Sequence, residues 1–107
     1  MFRINGKTNK ISMTKGDTAI FFVGKQDLEG KVIQYLPSDL ITFTIMDIST
    51  KEVVLTKQSK DGVIRFVPED TKDLDCKIYY YDIQLTSGNG IFTIIPTSYF
   101  EIEMEVS

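Results

Sequence analysis

Val67-Pro68-Glu69-Asp70-Thr71-Lys72-Asp73-Leu74 runs through Asp75-Cys76-Lys77 into Ile78-Tyr79-Tyr80-Tyr81-Asp82-Ile83-Gln84-Leu85. This reads as the end of a strand, a short helical corner over residues 68–74, and a strand that opens on tyrosines. Pro68 suits the first turn of a helix, and Glu69 and Asp70 suit its positive N-terminal end. The stretch is too short for more than a single turn. In Greek-key sandwiches the chain crosses between sheets at such a corner. A leucine plugs the core there, and a tyrosine near the start of the next strand ties its hydroxyl back to the corner backbone. Side chains alternate across a strand, so Tyr79, Tyr81, Ile83 and Leu85 face inward while Tyr80, Asp82 and Gln84 face outward. Leu74 is thus the expected core plug, and Tyr79 or Tyr81 the expected corner tyrosine.

The same period of two recurs on both sides of this corner. Ile41, Phe43 and Ile45 alternate with Thr42, Thr44 and Met46 between Leu40 and Asp47. Thr18–Val23 is apolar on both sides, which predicts a central strand covered on both faces. Glu52–Lys57 and Val63–Val67 flank Gln58–Gly62, whose closing Asp61-Gly62 reads as a hairpin turn. Ile78–Thr86 and Ile91–Ile95 flank Ser87-Gly88-Asn89-Gly90, a stronger hairpin signal because Gly and Asn tolerate positive φ. In Tyr99–Val106, Glu101, Glu103 and Glu105 oppose Phe100, Ile102, Met104 and Val106, which predicts an antiparallel or edge strand with one acidic face. Phe2–Asn5 and Lys10–Met13, joined through Gly6-Lys7, add short strands near the N-terminus. Eight or nine short strands with frequent turns, and no crossover helices, predict a sandwich or barrel in one domain spanning 1–107.

Composition excludes several functions. The 107 residues carry a formal charge of −3, and the lysines are scattered rather than clustered, so no nucleic-acid face is expected. No apolar run approaches the ~20 residues of a membrane span, and no secretory h-region opens the chain. A soluble protein made inside a cell is the expectation. With no histidine and a single cysteine, Ser-His-Asp and Cys-His catalysis cannot be assembled, and zinc or copper sites lack ligands. Cys76 beside Lys77 has no accompanying base. The Glu69–Asp75 carboxylates lack the spaced Asp-x-Asp-x-Asp-Gly pattern of a calcium loop, and a helix start with a solvated corner accounts for them. No catalytic residue, metal or cofactor is expected.

The pattern Pro68-Glu69-Asp70-Thr71-Lys72-Asp73-Leu74, then Tyr79-Tyr80-Tyr81-Asp82-Ile83-Gln84-Leu85-Thr86, then Gly90-Ile91-Phe92-Thr93-Ile94-Ile95-Pro96 resembles a family of small phage and prophage proteins of Gram-positive bacteria. Ile11 through Phe22, around Met13-Thr14-Lys15-Gly16-Asp17-Thr18, and Ser98-Tyr99-Phe100-Glu101-Ile102 share the likeness. Such proteins are similar to the N-terminal immunoglobulin-like domain of the siphophage baseplate upper protein. The resemblance implies an immunoglobulin-like antiparallel β-sandwich that attaches to a tail baseplate. Where the family has an aromatic residue followed by glycine, this chain has Cys76-Lys77, so a different corner geometry is expected there.

Together these readings predict a non-enzymatic structural module of a phage particle, made in the host cytoplasm and located in the tail or baseplate. Its expected partners are other tail or baseplate proteins, or further copies of itself. Tyr80, Phe92 and Tyr99 are the candidate partner-binding residues, since aromatics on an outer sheet face favour interfaces. The alternative is a bacterial immunoglobulin-like surface or carbohydrate-binding module.

Overall fold

The computed structural model describes residues 2–26, 29–88 and 90–104. In chain order they form β1 (Arg3–Ile4), β2 (Ile11–Thr14), β3 (Ala19–Phe22), β4 (Lys25–Gln26), β5 (Val32–Ile33), β6 (Leu40–Met46), β7 (Val53–Ser59), β8 (Val63–Phe66), α1 (Pro68–Thr71), β9 (Ile78–Ser87) and β10 (Gly90–Glu103). Strands hold 56% of the residues and helix 4%, so the chain is all-β. One sheet has six strands in the order β1-β2-β10-β9-β6-β7, and the pairs β3-β8 and β4-β5 form two smaller sheets.

Strand alternation builds the core between the large sheet and β3-β8. Ile41, Phe43 and Ile45 on β6, and Tyr79, Tyr81, Ile83 and Leu85 on β9, all point inward and are buried. Phe43 lies at the centre. Its ring stacks on Tyr81 at 5.2 Å and meets Phe21, Phe66 and Phe100 edge-on at 5.8, 5.6 and 6.0 Å. Phe21 and Phe66 come from β3 and β8, so aromatic edges and faces join the two layers.

Four sequence expectations about connectivity are corrected. β7 pairs with β6 while β8 pairs with β3, so Gln58–Gly62 is a crossing between sheets rather than a hairpin. Gly62 makes that crossing with φ +83°, and its carbonyl accepts the Val23 N–H at 2.7 Å. A Cβ there would lie 2.6 Å from the Val23 carbonyl and 2.6 Å from the Tyr35 ring, so only glycine fits without movement. Second, Thr18–Val23 is not a doubly covered central strand. β3 pairs only with β8, and Ile20 and Phe22 stand 59% and 77% exposed.

Third, Ile91–Ile95 and the start of Tyr99–Val106 belong to one strand, β10, which is internal to the sheet rather than at its edge. Register shifts fall on either side of Ile95, and Pro96, which has no N–H to give a ladder, sits in the second. Fourth, β10 pairs parallel with β2, so the sheet is mixed rather than purely antiparallel. Strands β4 and β5 carry no strand signal in the sequence. The Ser87–Gly90 turn does join an antiparallel hairpin, with Gly90 opposite Ser87 and Gly88 at φ +58°. Asn89, Glu105 and Val106, which figure in those expectations, lie outside the described residues.

A buried ionic cluster fastens one end. Asp39, 1% exposed, accepts hydrogen bonds from Lys25 at 2.5 Å, Ser87 at 2.5 Å and the Leu36 N–H at 2.8 Å. It thereby links β4, the approach to β6 and the β9-β10 turn. These donors satisfy a carboxylate that burial would otherwise penalise.

Candidate functional site

The corner that opened the reading is tied together by side chains. The Tyr79 hydroxyl donates to the Asp75 carbonyl at 2.8 Å, so of the two candidates Tyr79 is the tyrosine bound back to the corner. The Tyr81 hydroxyl goes elsewhere, donating to the Asn9 carbonyl in the β1-β2 turn. Burial holds both phenols above their ordinary pKa, with Tyr81 pushed up to about 12. Leu74 packs against the core but is only half-buried, whereas Thr71 is fully buried. Its hydroxyl accepts the Gly16 N–H at 2.8 Å and so fastens α1 to the β2-β3 turn. Lys77 is not in the left-handed region. Its ammonium reaches Asp47 at 2.5 Å and holds that carboxylate well below the usual range, while Ser49 and Thr50 also donate to it.

The acidic residues of the corner do not converge. Asp70 accepts the Val67 N–H at 2.8 Å and pairs with Lys57 at 2.6 Å. Among the described residues no three Asp, Glu or Cys side chains come together as metal ligands. Glu101 pairs with Lys10, just before β2, at 3.0 Å, and Glu103 with Arg3 on β1 at 2.8 Å. The acidic row of β10 is thus tied across β2 towards the edge strand β1 instead of forming a free charged edge. Cys76 is free and exposed.

On the outer face of the large sheet, the register sets side chains in rows. Val53, Met46, Tyr80 and Tyr99 stand opposite one another across β7, β6, β9 and β10. Tyr80 and Tyr99 stack with centroids 5.9 Å apart, and the Lys51 ammonium sits 4.8 Å above the Tyr80 ring. The next row holds Thr56, Thr44 and Asp82. A groove of about 240 Å³ lies between the rows, lined by Thr44, Met46, Lys51, Tyr80, Asp82 and Thr97. Asp82 is half-buried there, and no donor or cation reaches its carboxylate among the described residues. Desolvation alone raises its pKa.

Phe92 does not join this aromatic pair, which corrects its expected place on the outer sheet face. It stands opposite Leu85, an inward residue, and so lies on the core-side face of the sheet. There it extends past the end of the smaller layer and lines a separate groove of about 730 Å³ with Leu85, Ile94 and Lys25. On a regular strand Phe92 has the parity of inward Phe100, and the two register shifts between them add to two residues, which preserves that parity.

Comparison with known proteins gives no family. No family model matches the chain, and neither does any curated protein or solved structure.

Three functional features escaped sequence reasoning. Ile20 and Phe22 look like core residues by composition, but alternation turns them to the outer face of β3, which no further layer covers among the described residues. Asp82 was assigned outward by alternation, but its lack of a partner depends on its neighbours across β6 and β10. Lys51 approaches Tyr80 through a turn residue at φ +62°, a geometry with no signal in its residue type.

Proposed function

We propose that this chain is an immunoglobulin-like, non-enzymatic assembly module of a phage tail or baseplate, acting through protein–protein contacts. The observation that carries the contact function is the bare outer side of β3-β8. That small sheet has no further strand beside it among the described residues. Ile20 and Phe22 project from it opposite Arg65 and Val63, with Phe22 77% exposed. Burying each against a neighbour is worth about 1.5–3 kcal/mol. The expected neighbours are other tail or baseplate proteins, or further copies in a symmetric particle.

The immunoglobulin-like assignment rests on topology as well as on the sequence resemblance. The run β7-β6-β9-β10 opposite β3-β8 supports this reading, since it has the order expected of C′, C, F and G strands facing B and E. The Tyr79 bond to Asp75 falls where the E-to-F tyrosine corner belongs. The phage role is supported by the resemblance at Pro68–Leu74 and Tyr79–Thr86.

Mass spectrometry of particles purified from the induced prophage tests the role. The protein is expected among the virion components, with Phe22→Glu folded but absent from particles. Absence of the wild-type protein from particles refutes the location. Normal incorporation of Phe22→Glu refutes the contact surface.

A further inference from the structure

We propose that the groove beside Tyr80 and Asp82 is a binding site for one neutral saccharide unit. The groove opens on the outer face of the large sheet, on the opposite layer from Ile20 and Phe22. Its chemistry narrows the ligand by elimination. A simple anion would meet the Asp82 carboxylate, which already lacks any donor. A simple cation would compete with the Lys51 ammonium, which occupies the face of Tyr80 at 4.8 Å. Among the described residues, one uncompensated carboxylate and one ammonium without a carboxylate partner instead suit a neutral ligand rich in hydroxyls. Such a ligand donates to Asp82, accepts from Lys51 and does both with Thr44 and Thr97. Met46 and the part of Tyr80 that Lys51 does not cover supply the apolar wall on which the C–H groups of a sugar pack. At about 240 Å³ the space lies just below the range for drug-sized ligands, which fits a single ring.

The state of Asp82 adds weight. Its half-buried carboxylate is disfavoured by desolvation, with no bond among the described residues to offset this. An unfavourable ionised group held on a rigid strand is what a binding site retains and a merely structural surface does not. Between Thr44 on β6 and the register-shifted part of β10, Asp82 is also held in a fixed position.

The test is a set of NMR titrations of the ¹⁵N-labelled chain with glucose, galactose, mannose, N-acetylglucosamine and their short oligomers. At least one sugar is expected to shift the amides of Thr44, Lys51, Tyr80, Asp82 and Thr97 together in a saturable way. Asp82→Asn is expected to weaken that binding about tenfold or more, the loss of a charge-assisted hydrogen bond. Tyr80→Phe keeps the ring and is expected to bind, whereas Tyr80→Ala is not. Phe22→Glu, on the other layer, is expected to bind as the wild type does. Because Asp82→Asn leaves the fold intact, its melting curve separates lost binding from lost structure. No shift with any sugar at millimolar concentration overturns the proposal, as does undiminished binding by Asp82→Asn. Saturable shifts of these amides by methylammonium or acetate, and not by sugars, also overturn it.

Discussion

Removing one oxygen from Tyr79 tests the corner directly. In Tyr79→Phe the ring stays where it is, 2% exposed among the core residues, and only the bond to the Asp75 carbonyl at 2.8 Å is lost. A hydrogen bond of this kind contributes about 0.5–1.5 kcal/mol net. The acceptor belongs to an exposed residue, so water can replace the phenol and no buried carbonyl is stranded. The expected loss is therefore about 1 kcal/mol, against the 5–15 kcal/mol typical of a whole domain. For a chain of this size that is a fall in Tm of about 4 °C. Urea unfolding followed by tyrosine fluorescence or circular dichroism measures it, with the midpoint lowered and the m value unchanged. Tyr81→Phe removes a bond to a different partner, Asn9, so the double variant is expected to show the sum of the two losses. A Tyr79→Phe midpoint within about 0.3 kcal/mol of wild type would refute the argument that this hydroxyl fastens the corner.

Asp82→Asn is expected to be more stable than wild type at pH 7, because the folded state holds a desolvated carboxylate whose pKa is raised; the gain should vanish at a pH below the unfolded-state value, where both states are protonated, and thermal melts at pH 7 and pH 3 measure it. Asp39 behaves oppositely. Its bond from Lys25, followed by that from Ser87, lowers its pKa to about 2, so its contribution is complete above the unfolded value of 3.8 and is lost as pH falls towards 2. Asp39→Asn is expected to flatten the stability profile over that interval. At the alkaline end, Tyr81 keeps its proton up to about pH 12 when folded but releases it near 10 when unfolded, so stability should fall between those values and less so in Tyr81→Phe. Gly62→Ala must carry a side chain at φ +83° into the Val23 carbonyl and the Tyr35 ring, and a loss of roughly 1–3 kcal/mol is expected in chemical denaturation.

Alternation was legible wherever a strand is wet on one side. In β6 and β9 the inward and outward sets follow from sequence parity alone, and Asp82 could be assigned its face. Pairing was not legible, because a strand's sequence records its own two faces and not its neighbours. Hence Asp61-Gly62 looked like a hairpin although its flanking strands pair with β3 and β6. The glycine requirement was real, but its cause is the close approach of Val23 and Tyr35. The same limit applies to the surfaces. Ile20 and Phe22 have core composition, and what exposes them is the absence of a strand over β3 among the described residues. The Tyr80–Tyr99 pair needed the β9-β10 register, which two shifts around Pro96 make unreadable from spacing.

The parallel pairing of β2 with β10 has a kinetic consequence. The Arg3–Glu103 ion pair closes a separation of 100 residues, and the Ile11–Thr14 ladder closes nearly as large a loop. Neither can form until the last strand is present, and both bear the entropy of joining distant segments. The hairpin β9-β10 and the β6-β9 pairing can form first, leaving Phe43 and Tyr81 stacked while β1 and β2 still wander. Docking of those first strands is then the late event in folding, and a chain dominated by such long-range contacts folds in milliseconds to seconds rather than microseconds.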